Sequence, residues 1–249
     1  MDSNNTFSSE TLSDLSHDAQ CPHKICSGSG IESKLPHAFI KRMRTDFETT
    51  AEYERFIACY SDAPVRAMRI NTLKISKERF LDLCPWRTKQ SELLNEGLIL
   101  TENPEHIGTH PYHIAGLFYM QEPSAMSVVE AAEIAPGMRV LDLCAAPGGK
   151  SLTLAECMQD SGRLVSGEFA PSRVPLLQKA FDRCGITCAV AVENDATQHN
   201  SDWPTFDRVL CDVPCSGLGV IAKKPDIRYK DLDGIENLLL SQQKILQNG

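Results

Sequence analysis

Two short runs of the sequence combine acidic, glycine and cysteine residues at a spacing that could support chemistry. They are Asp142-Leu-Cys-Ala-Ala-Pro-Gly-Gly-Lys-Ser151 and Asp212-Val-Pro-Cys-Ser-Gly217. Before the first run stands an apolar segment, so we predict a strand over 139–144, a glycine-containing turn and then a helix from Ser151 to Met158. Ligands of open α/β sheets bind at such strand ends, which makes this turn the candidate ligand site.

The turn does not fit the two common phosphate-binding patterns. A Walker A loop needs glycine where Cys144 stands, and the dinucleotide pattern G-x-G-x-x-G is absent. The remaining interpretation is a tight turn whose glycines let the backbone approach a ligand without phosphates. Asp142, at the end of the strand, is predicted to accept a hydrogen bond from an amino group of that ligand.

Acidic residues also follow three further predicted strands. Glu168 ends the second strand, where an acid in this fold class can accept hydrogen bonds from both ribose hydroxyls, so an adenosine ligand is favoured. Asp195, with Asn194, follows the third strand and could bracket the adenine, although a turn aspartate is an equal alternative. Asp212 ends the fourth strand. Four acids at corresponding strand ends indicate a site rather than coincidence.

The elements that must position these residues follow an alternating pattern after Pro136-Gly137. Helices separate the first three of four predicted strands, and this order predicts a parallel sheet with right-handed crossovers. The predicted strands are 139–144, 163–169, 188–193 and 206–212.

The chain before this sheet has a different pattern. Apolar residues recur at helical intervals from Leu35 to Tyr60, which predicts two short helices. A small α+β unit follows, and a further helix is predicted from Pro123 to about Ile134. The α+β unit is predicted to contain strands at 66–71, 97–100 and 116–121 and a helix that Ser76 caps and that ends at Leu83.

We therefore predict three regions. Residues 1–30 are rich in Ser, Asn, Asp and Gly and cannot offset the entropy of ordering, so they are expected to form a disordered tail. Residues 31–121 are expected to form a helical and α+β domain, and residues 122–249 an α/β domain.

Charge and cysteine usage limit the class of protein. The formal charge of −8 argues against a protein that coats nucleic acid by bulk electrostatics. Residues 34–90, however, hold twelve Lys or Arg against seven acids, so one region could face phosphates. The ten cysteines are scattered and read as reduced thiols of a cytosolic protein. Cys21, His23 and Cys26 lack a second pair at zinc-site spacing, so no metal site is predicted.

Neither a membrane span nor a signal peptide is indicated. No window approaches the length of uncharged apolar sequence that a span requires, and the polar N-terminus lacks a basic segment followed by an apolar one. We expect a soluble, cytoplasmic protein.

The motifs carry a family resemblance. The two runs above, followed by Lys224-Pro-Asp-Ile and Gln242-Gln-Lys-Ile-Leu246, closely resemble the Sun-type RNA (cytosine-5) methyltransferases. Upstream, Arg69-Ile-Asn-Thr-Leu-Lys74, Trp86 and Phe118-Tyr-Met-Gln-Glu-Pro-Ser-Ala-Met126 resemble the RsmF branch, which modifies 16S ribosomal RNA. The likeness spans Leu35 to Gly249 and is strongest after Gln121. It implies that residues 122–249 form a partial catalytic domain with a Rossmann-like methyltransferase sheet, C-terminally incomplete. It also implies that the small α+β domain before it, residues 31–121, faces RNA.

The resemblance also implies a cofactor and its site. In this family S-adenosylmethionine is the methyl donor, and the matching positions here are Cys144, Ala145, Ala146, Pro147, Gly148, Gly149, Lys150, Glu168, Arg173, Asp195 and Asp212. Glu168 departs from the pattern, since family members usually carry Asp, but the longer carboxylate can still reach the ribose.

Methylation of cytosine at carbon 5 requires a thiolate that adds to carbon 6, with an acid nearby. The residues alone favour Cys215 as this thiol, with Asp212 as a hydrogen-bonding partner of the base. Lys150 is a candidate positioning cation, or else a surface lysine. The family implies that Cys215 instead assists product release and that the nucleophile lies in a later Thr-Cys motif, beyond Gly249. We therefore expect that this chain lacks the family nucleophile.

Other cysteines have simpler interpretations. Thr187-Cys188 precedes the third strand and is expected to be a turn and a buried thiol. Cys144 and Cys211 lie in apolar strands and are expected to be packed thiols rather than metal ligands. If the chain ends at Gly249, the fourth strand is also expected to form an exposed edge of the sheet.

The favoured function is methylation of carbon 5 of cytosine in RNA, with 16S ribosomal RNA or the small ribosomal subunit as partner. The alternative is a truncated, non-catalytic module that binds RNA or the cofactor.

Overall fold

A computed structural model describes residues 29–32, 34–92, 95–221, 223–229 and 234–249. The predicted tail lies outside the described residues up to position 28, as do Cys21, His23 and Cys26; Ser29 and Gly30 begin a short helix. Internal contacts divide the chain into two compact units, Met1–Asp62 and Ala63–Gly249. The domain boundary predicted at residue 121 stays a prediction.

The described part of the first unit is helical. Its helices are α1 (Ser29–Glu32), α2 (His37–Asp46) and α3 (Thr50–Ala58), so the two helices predicted between Leu35 and Tyr60 are confirmed. Helix α3 begins with a capping box, in which Thr49 Oγ1 accepts a hydrogen bond from the Glu52 amide and Glu52 Oε2 accepts one from the Thr49 amide. Phe39, Tyr53 and Ile57 are buried and hold the helices together.

The second unit begins with an antiparallel sheet of order β2-β3-β1-β4. Alternating apolar residues place Met68, Ile70, Leu98 and Phe118 on a common core with Phe80. The helix predicted after Ser76 is confirmed, and the Ser76 side chain caps it. The elements are β1 (Ala67–Ile70), α4 (Lys77–Leu83), β2 (Thr88–Gln90), β3 (Gly97–Leu100), α5 (Pro111–Ile114) and β4 (Phe118–Met120).

A parallel sheet of order β7-β6-β5-β8 completes the second unit, and all three of its strand pairs are parallel as predicted. Strand β8 lies at one edge. The remaining helix, α9, follows the sheet. The elements are α6 (Pro123–Glu130), β5 (Arg139–Asp142), α7 (Gly149–Cys157), β6 (Arg163–Glu168), α8 (Val174–Cys184), β7 (Ala189–Glu193), β8 (Arg208–Leu210) and α9 (Ile235–Asn248).

The parallel sheet is packed on both faces. Successive residues of a strand point to opposite faces, so Val140 packs with Leu154 and Phe181 of the crossover helices while Leu141 packs with Ile245 of α9. No helix in the described part of the chain is long and apolar enough to cross a membrane.

Element boundaries differ from the predictions by a few residues. Helix α7 begins at Gly149 rather than Ser151 because Gly148 takes a left-handed conformation and ends the loop there. Helix α6 ends at Glu130 rather than near Ile134, and Glu133 shortly after it has a positive φ of 49°. Strand β8 is shorter than predicted and spans only Arg208–Leu210.

Candidate active site

The carboxyl ends of the four parallel strands meet at one edge of the sheet and bring the predicted acids together. In sheet order, Asp195 follows β7, Glu168 ends β6, Asp142 ends β5 and Asp212 lies two residues beyond β8. The alignment of strand-end acids that the alternating pattern predicted is therefore present.

Asp142 holds the loop that follows it rather than facing outward. Its side chain is buried, with 1% of its surface exposed. Oδ2 accepts a hydrogen bond from Ser151 Oγ at 2.6 Å, and Oδ1 accepts one from the Cys144 amide at 3.4 Å. Both hydrogen bonds come from protein groups, and the predicted contact with an amino group of a ligand stays a prediction. Burial raises its pKa from 3.8 to about 6, although the bonds from Ser151 and Cys144 oppose the shift.

The loop over 143–148 is fixed by backbone hydrogen bonds and by one glycine. The Ala145 amide donates to the Gly167 carbonyl at 2.8 Å, and the Gly148 amide donates to the Ala145 carbonyl at 2.7 Å. Gly148 has a φ of 105°, and a Cβ there would lie 2.8 Å from Leu177 Cδ1. This glycine is thus required by backbone conformation and by packing against α8, a reason separate from the ligand approach that the sequence suggested.

Glu168 is held in place by Arg173. The Glu168 side chain is nearly buried, and its Oε1 lies 2.5 Å from Arg173 Nη2 and 2.8 Å from the Ala170 amide that donates to it. Neither contact uses Oε2. The arrangement leaves a carboxylate oxygen at the strand end that can accept hydrogen bonds from a ligand.

Beside Glu168, Asn194 and Asp195 border a polar cavity of about 380 Å³. Asp195 Oδ1 accepts hydrogen bonds from the Thr197 amide at 3.0 Å and from Thr197 Oγ1 at 2.7 Å, so the turn interpretation of this residue is confirmed. Asn194 Nδ2 is buried and has no hydrogen-bond partner among the described residues. An unpaired buried donor is costly, and a ligand acceptor would satisfy it.

On the other side of the loop, Lys150 and Asp212 form an ion pair. Lys150 Nζ lies 2.6 Å from Asp212 Oδ2, and the lysine side chain is only 20% exposed, which favours a positioning role over a free surface lysine. Cys215, three residues after Asp212, is exposed. The pair borders a cavity of about 1120 Å³, whose other lining residues include Cys144, Pro147 and Gly149.

The antiparallel sheet forms part of the wall of this larger cavity, which the sequence analysis did not predict. It is lined by Arg66 directly before β1, Ile99 of β3 and Gln121 directly after β4, and Glu122 forms an ion pair with Lys223 at its rim. In the sequence, Gln121 and Glu122 belong to the run Phe118–Met126, which indicates only the family resemblance. No local spacing links it to Lys150 or Asp212, because the contact depends on how the two sheets pack.

Cys144, Cys188 and Cys211 are half-buried thiols, and Cys144 and Cys211 lie just beyond the ends of β5 and β8 rather than within strands as predicted. Burial raises the pKa of Cys144 to about 11, and burial also raises the pKa of Cys211. Cys188 follows a turn in which Asp160 accepts hydrogen bonds from Thr187 Oγ1 and from both backbone amides, as expected of a turn and a half-buried thiol. Within the described ranges, no group of three or more His, Cys, Asp or Glu side chains is arranged to hold a metal ion.

Comparison with known families gives two matches along the chain. Residues 35–123 match the N-terminal domain of 16S rRNA methyltransferase RsmF, and residues 130–249 match the family described as 16S rRNA methyltransferase RsmB/F. The ribosomal RNA small subunit methyltransferase F of Citrobacter koseri is 36% identical over 201 residues, which are 77% of this chain and 42% of that protein. The chain thus spans less than half the length of the curated relatives it matches.

Solved structures agree in fold. A methyltransferase homolog protein from Pyrococcus horikoshii is 28% identical with a TM-score of 0.68, over 79% of this chain and 63% of that one. NSun6 from Pyrococcus horikoshii, solved with SFG, has a TM-score of 0.75 at 18% identity, over 86% and 79% of the two chains, and shows the fold alone. The predicted methyltransferase sheet with a preceding N-terminal domain is confirmed.

The chain combines strand-end acids, the Cys144–Lys150 loop and a preceding antiparallel sheet. Both family descriptions match it, one over residues 35–123 and the other over residues 130–249. The chain belongs to the Sun-type, RsmF-like family of ribosomal RNA methyltransferases, whose cofactor is S-adenosylmethionine.

Proposed function

We propose that this chain binds S-adenosylmethionine and acts in the methylation of carbon 5 of cytosine in ribosomal RNA, with 16S rRNA as the substrate. The observation that carries the proposal is the loop over 144–150 at the carboxyl edge of the parallel sheet, with Glu168 on one side and the Lys150–Asp212 ion pair on the other. An adenosine site and a site for a reacting base can therefore adjoin.

The adenosine side of the cofactor fits the residues beside β6 and β7. Glu168 Oε2 is suited to accept hydrogen bonds from ribose hydroxyls, and Arg173 fixes the orientation of its carboxylate. The buried Nδ2 of Asn194 can donate to an acceptor atom of the nucleoside, next to Asp195. The other proposed contacts are from the loop residues Cys144, Ala145, Ala146, Pro147, Gly148, Gly149 and Lys150, with Asp212 at its far side. Bound S-adenosylmethionine supplies an electrophilic methyl group.

The base side of the site is assigned to Lys150, Asp212 and Cys215. Asp212 can accept a hydrogen bond from the amino group of cytosine, and from the ring nitrogen once addition to carbon 6 has led to its protonation, and the Lys150 ammonium at 2.6 Å balances its charge. Carbon 5 becomes nucleophilic only after a thiolate adds to carbon 6, and loss of the carbon 5 proton later breaks the carbon–sulfur bond. Cys215 either forms that bond or assists its release.

Calorimetry with S-adenosylhomocysteine tests the cofactor half of the proposal. We expect binding by the chain, and we expect Glu168→Gln to weaken it by about tenfold or more, because a buried acceptor that contacts the ligand is neutralised. Glu105→Gln is the matched control, since Glu105 is an exposed glutamate that lines neither cavity. Wild-type protein that does not bind S-adenosylhomocysteine would contradict the proposal.

Methyl transfer to a ribosomal RNA fragment tests the other half. Transfer to carbon 5 of cytosine supports the enzyme, and transfer to another position or another class of acceptor contradicts it. Cofactor binding without transfer supports the alternative, a module that binds the cofactor or RNA without turnover.

The role of Cys215 can be resolved with Cys215→Ala in a full-length version that also carries the later Thr-Cys motif, and with RNA in which the target carbon 5 carries fluorine. Fluorine prevents the final elimination, so any adduct is trapped. If Cys215 attacks the base, the variant forms no adduct. If Cys215 assists release, the variant traps the adduct on fluorinated RNA and also accumulates it on ordinary RNA.

A further inference from the structure

The run Arg69-Ile-Asn-Thr-Leu-Lys74 begins in β1 and is not explained by the proposed function. None of its residues lines either cavity beside the loop. Its polar side chains instead reach the two helices, α7 and α8, that cross over between the first three strands of the parallel sheet.

Arg69 forms a buried ion pair with Glu156 of α7. The two residues are 2% and 6% exposed, and Arg69 Nε lies 3.1 Å from Glu156 Oε2. Thr72 Oγ1 donates to Glu156 Oε1 at 2.9 Å, and the Tyr119 hydroxyl donates to Glu156 Oε2 at 3.3 Å. The carboxylate of α7 is therefore fixed by three side chains of the antiparallel sheet and the turn after β1.

Asn71 and Lys74 hold the other helix at its carboxyl end. Asn71 Nδ2 donates to the carbonyl of Cys184 at 2.9 Å, and Lys74 Nζ donates to the carbonyl of Arg183 at 2.6 Å. The last carbonyls of a helix lack intrahelical partners and carry partial negative charge, so an amide and an ammonium are favourable there.

Both helices begin at the candidate cofactor site. Helix α7 starts at Gly149, within the loop, and α8 starts directly after Arg173, which holds Glu168. A helix moves largely as a rigid body, so displacement of Glu156 or of the end of α8 would also displace these starting residues. A buried ion pair contributes little net stability compared with apolar packing, but it imposes direction and distance.

We propose that Arg69, Asn71 and Lys74, with Glu156, are positioning residues that set where α7 and α8 present the loop over 144–150 and Glu168 to the cofactor. The inference rests on the proposed function. It assigns the antiparallel sheet a part in cofactor binding, although Arg69, Asn71 and Lys74 line neither cavity.

The test separates position from stability with the double variant Arg69→Met/Glu156→Leu. Apolar residues of similar volume can replace a buried ion pair with little loss of stability, and Tyr119 keeps Thr153 as a partner. We therefore expect the thermal midpoint to fall only slightly, although Thr72 and Glu96 each lose a contact. We expect the affinity for S-adenosylhomocysteine to fall about tenfold, because small misplacements far from a site are costly. Arg208→Met/Glu133→Leu is the matched control, since it removes an exposed ion pair with the same change in charge and should leave affinity unchanged.

Milder variants keep the test decisive if the double variant does not fold. Thr72→Val and Lys74→Met each remove contacts of a single side chain, and we expect each to weaken binding by about two- to threefold while the midpoint is retained. Affinity equal to that of the wild type in the folded variants would overturn the positioning role. Failure of the wild type to bind S-adenosylhomocysteine would instead overturn the proposed function.

Discussion

The residues of the site fall into two groups. Some are suited to contact a ligand, and others hold those residues in position. Glu168 keeps one carboxylate oxygen outside its contacts with Arg173 and Ala170, whereas both carboxylate oxygens of Asp142 accept hydrogen bonds from protein groups. The sequence places both acids at strand ends but does not distinguish their roles. The difference depends on Ser151, whose hydroxyl reaches back to Asp142 only once α7 has packed above the strand.

The buried carboxyl of Asp142 predicts a pH dependence of stability. Its pKa is raised to about 6 in the fold, so between about pH 4 and 6 the folded state binds a proton that the unfolded state has lost. The stability that this group contributes is thus full below about pH 4 and is lost as the pH rises through about 6. The wild type loses this stability as the pH rises, but Asp142→Asn has no carboxyl group to titrate. The free energy of unfolding of the variant, measured by urea unfolding, should therefore rise relative to that of the wild type by about 2 kcal/mol between pH 4 and pH 8.

The control for this prediction is Ser151→Ala. The hydrogen bond from Ser151 lowers the pKa of Asp142, so its removal should move the pH-dependent loss of stability to higher pH. A stability difference between Asp142→Asn and the wild type that does not change with pH would contradict the assignment.

At the scale of elements, the order of strands and helices could be predicted well because it depends on periodicity along the chain. All four parallel strands and the two helices between the first three were predicted. Their boundaries were less accurate, because Gly148 and Glu133 take positive φ angles that local pattern does not report. The packing of β4 and β1 residues beside the loop could not be predicted, since no pattern within either sheet encodes the contact.

The start of α7 predicts a destabilising effect of Gly148→Ala. Gly148 has a φ of 105°, and a Cβ would lie 2.8 Å from the Cδ1 atom of buried Leu177. Strain of this kind costs about 1–3 kcal/mol, so we expect the free energy of unfolding to fall by that amount. Gly219→Ala is the control, because Gly219 is exposed and a Cβ there meets nothing within 4 Å. Equal stability of the two variants in chemical denaturation would refute this reason for the glycine.

The start of α3 gives a second element-scale prediction. Thr49→Ala removes the side chain that accepts from the Glu52 amide at 3.2 Å, and loss of such a cap costs about 1 kcal/mol. Thr50→Ala, one position later, leaves the capping box intact and should cost less. Circular dichroism during thermal unfolding compares the two, and a larger loss for Thr50→Ala would be inconsistent with the cap.

At the scale of the whole molecule, fewer basic side chains are available to RNA than a count of Lys and Arg suggests. Residues 34–90 hold twelve Lys or Arg, yet five of them are engaged by protein groups, which leaves at most seven for phosphates. The five are Arg42 with Asp46, Arg44 with Glu32, Arg66 with Asn103 and Pro104, Arg69 with Glu156, and Lys74 with two backbone carbonyls. The local positive excess was predicted correctly from the sequence, but its availability depends on these tertiary contacts.

This arrangement predicts a moderate salt dependence of RNA binding. Each phosphate contact to single-stranded RNA contributes about 0.7 to the slope of log affinity against log salt, so seven cations allow a slope of about 5 at most. Fluorescence anisotropy of a ribosomal RNA fragment over a range of salt concentrations measures it. Lys77→Ala should lower the slope if Lys77 contacts a phosphate, whereas Arg42→Ala should change it less because Asp46 already pairs with that guanidinium. A slope well above 5 would show that cations outside residues 34–90, such as Lys150 or Lys223 at the larger cavity, also contact the RNA.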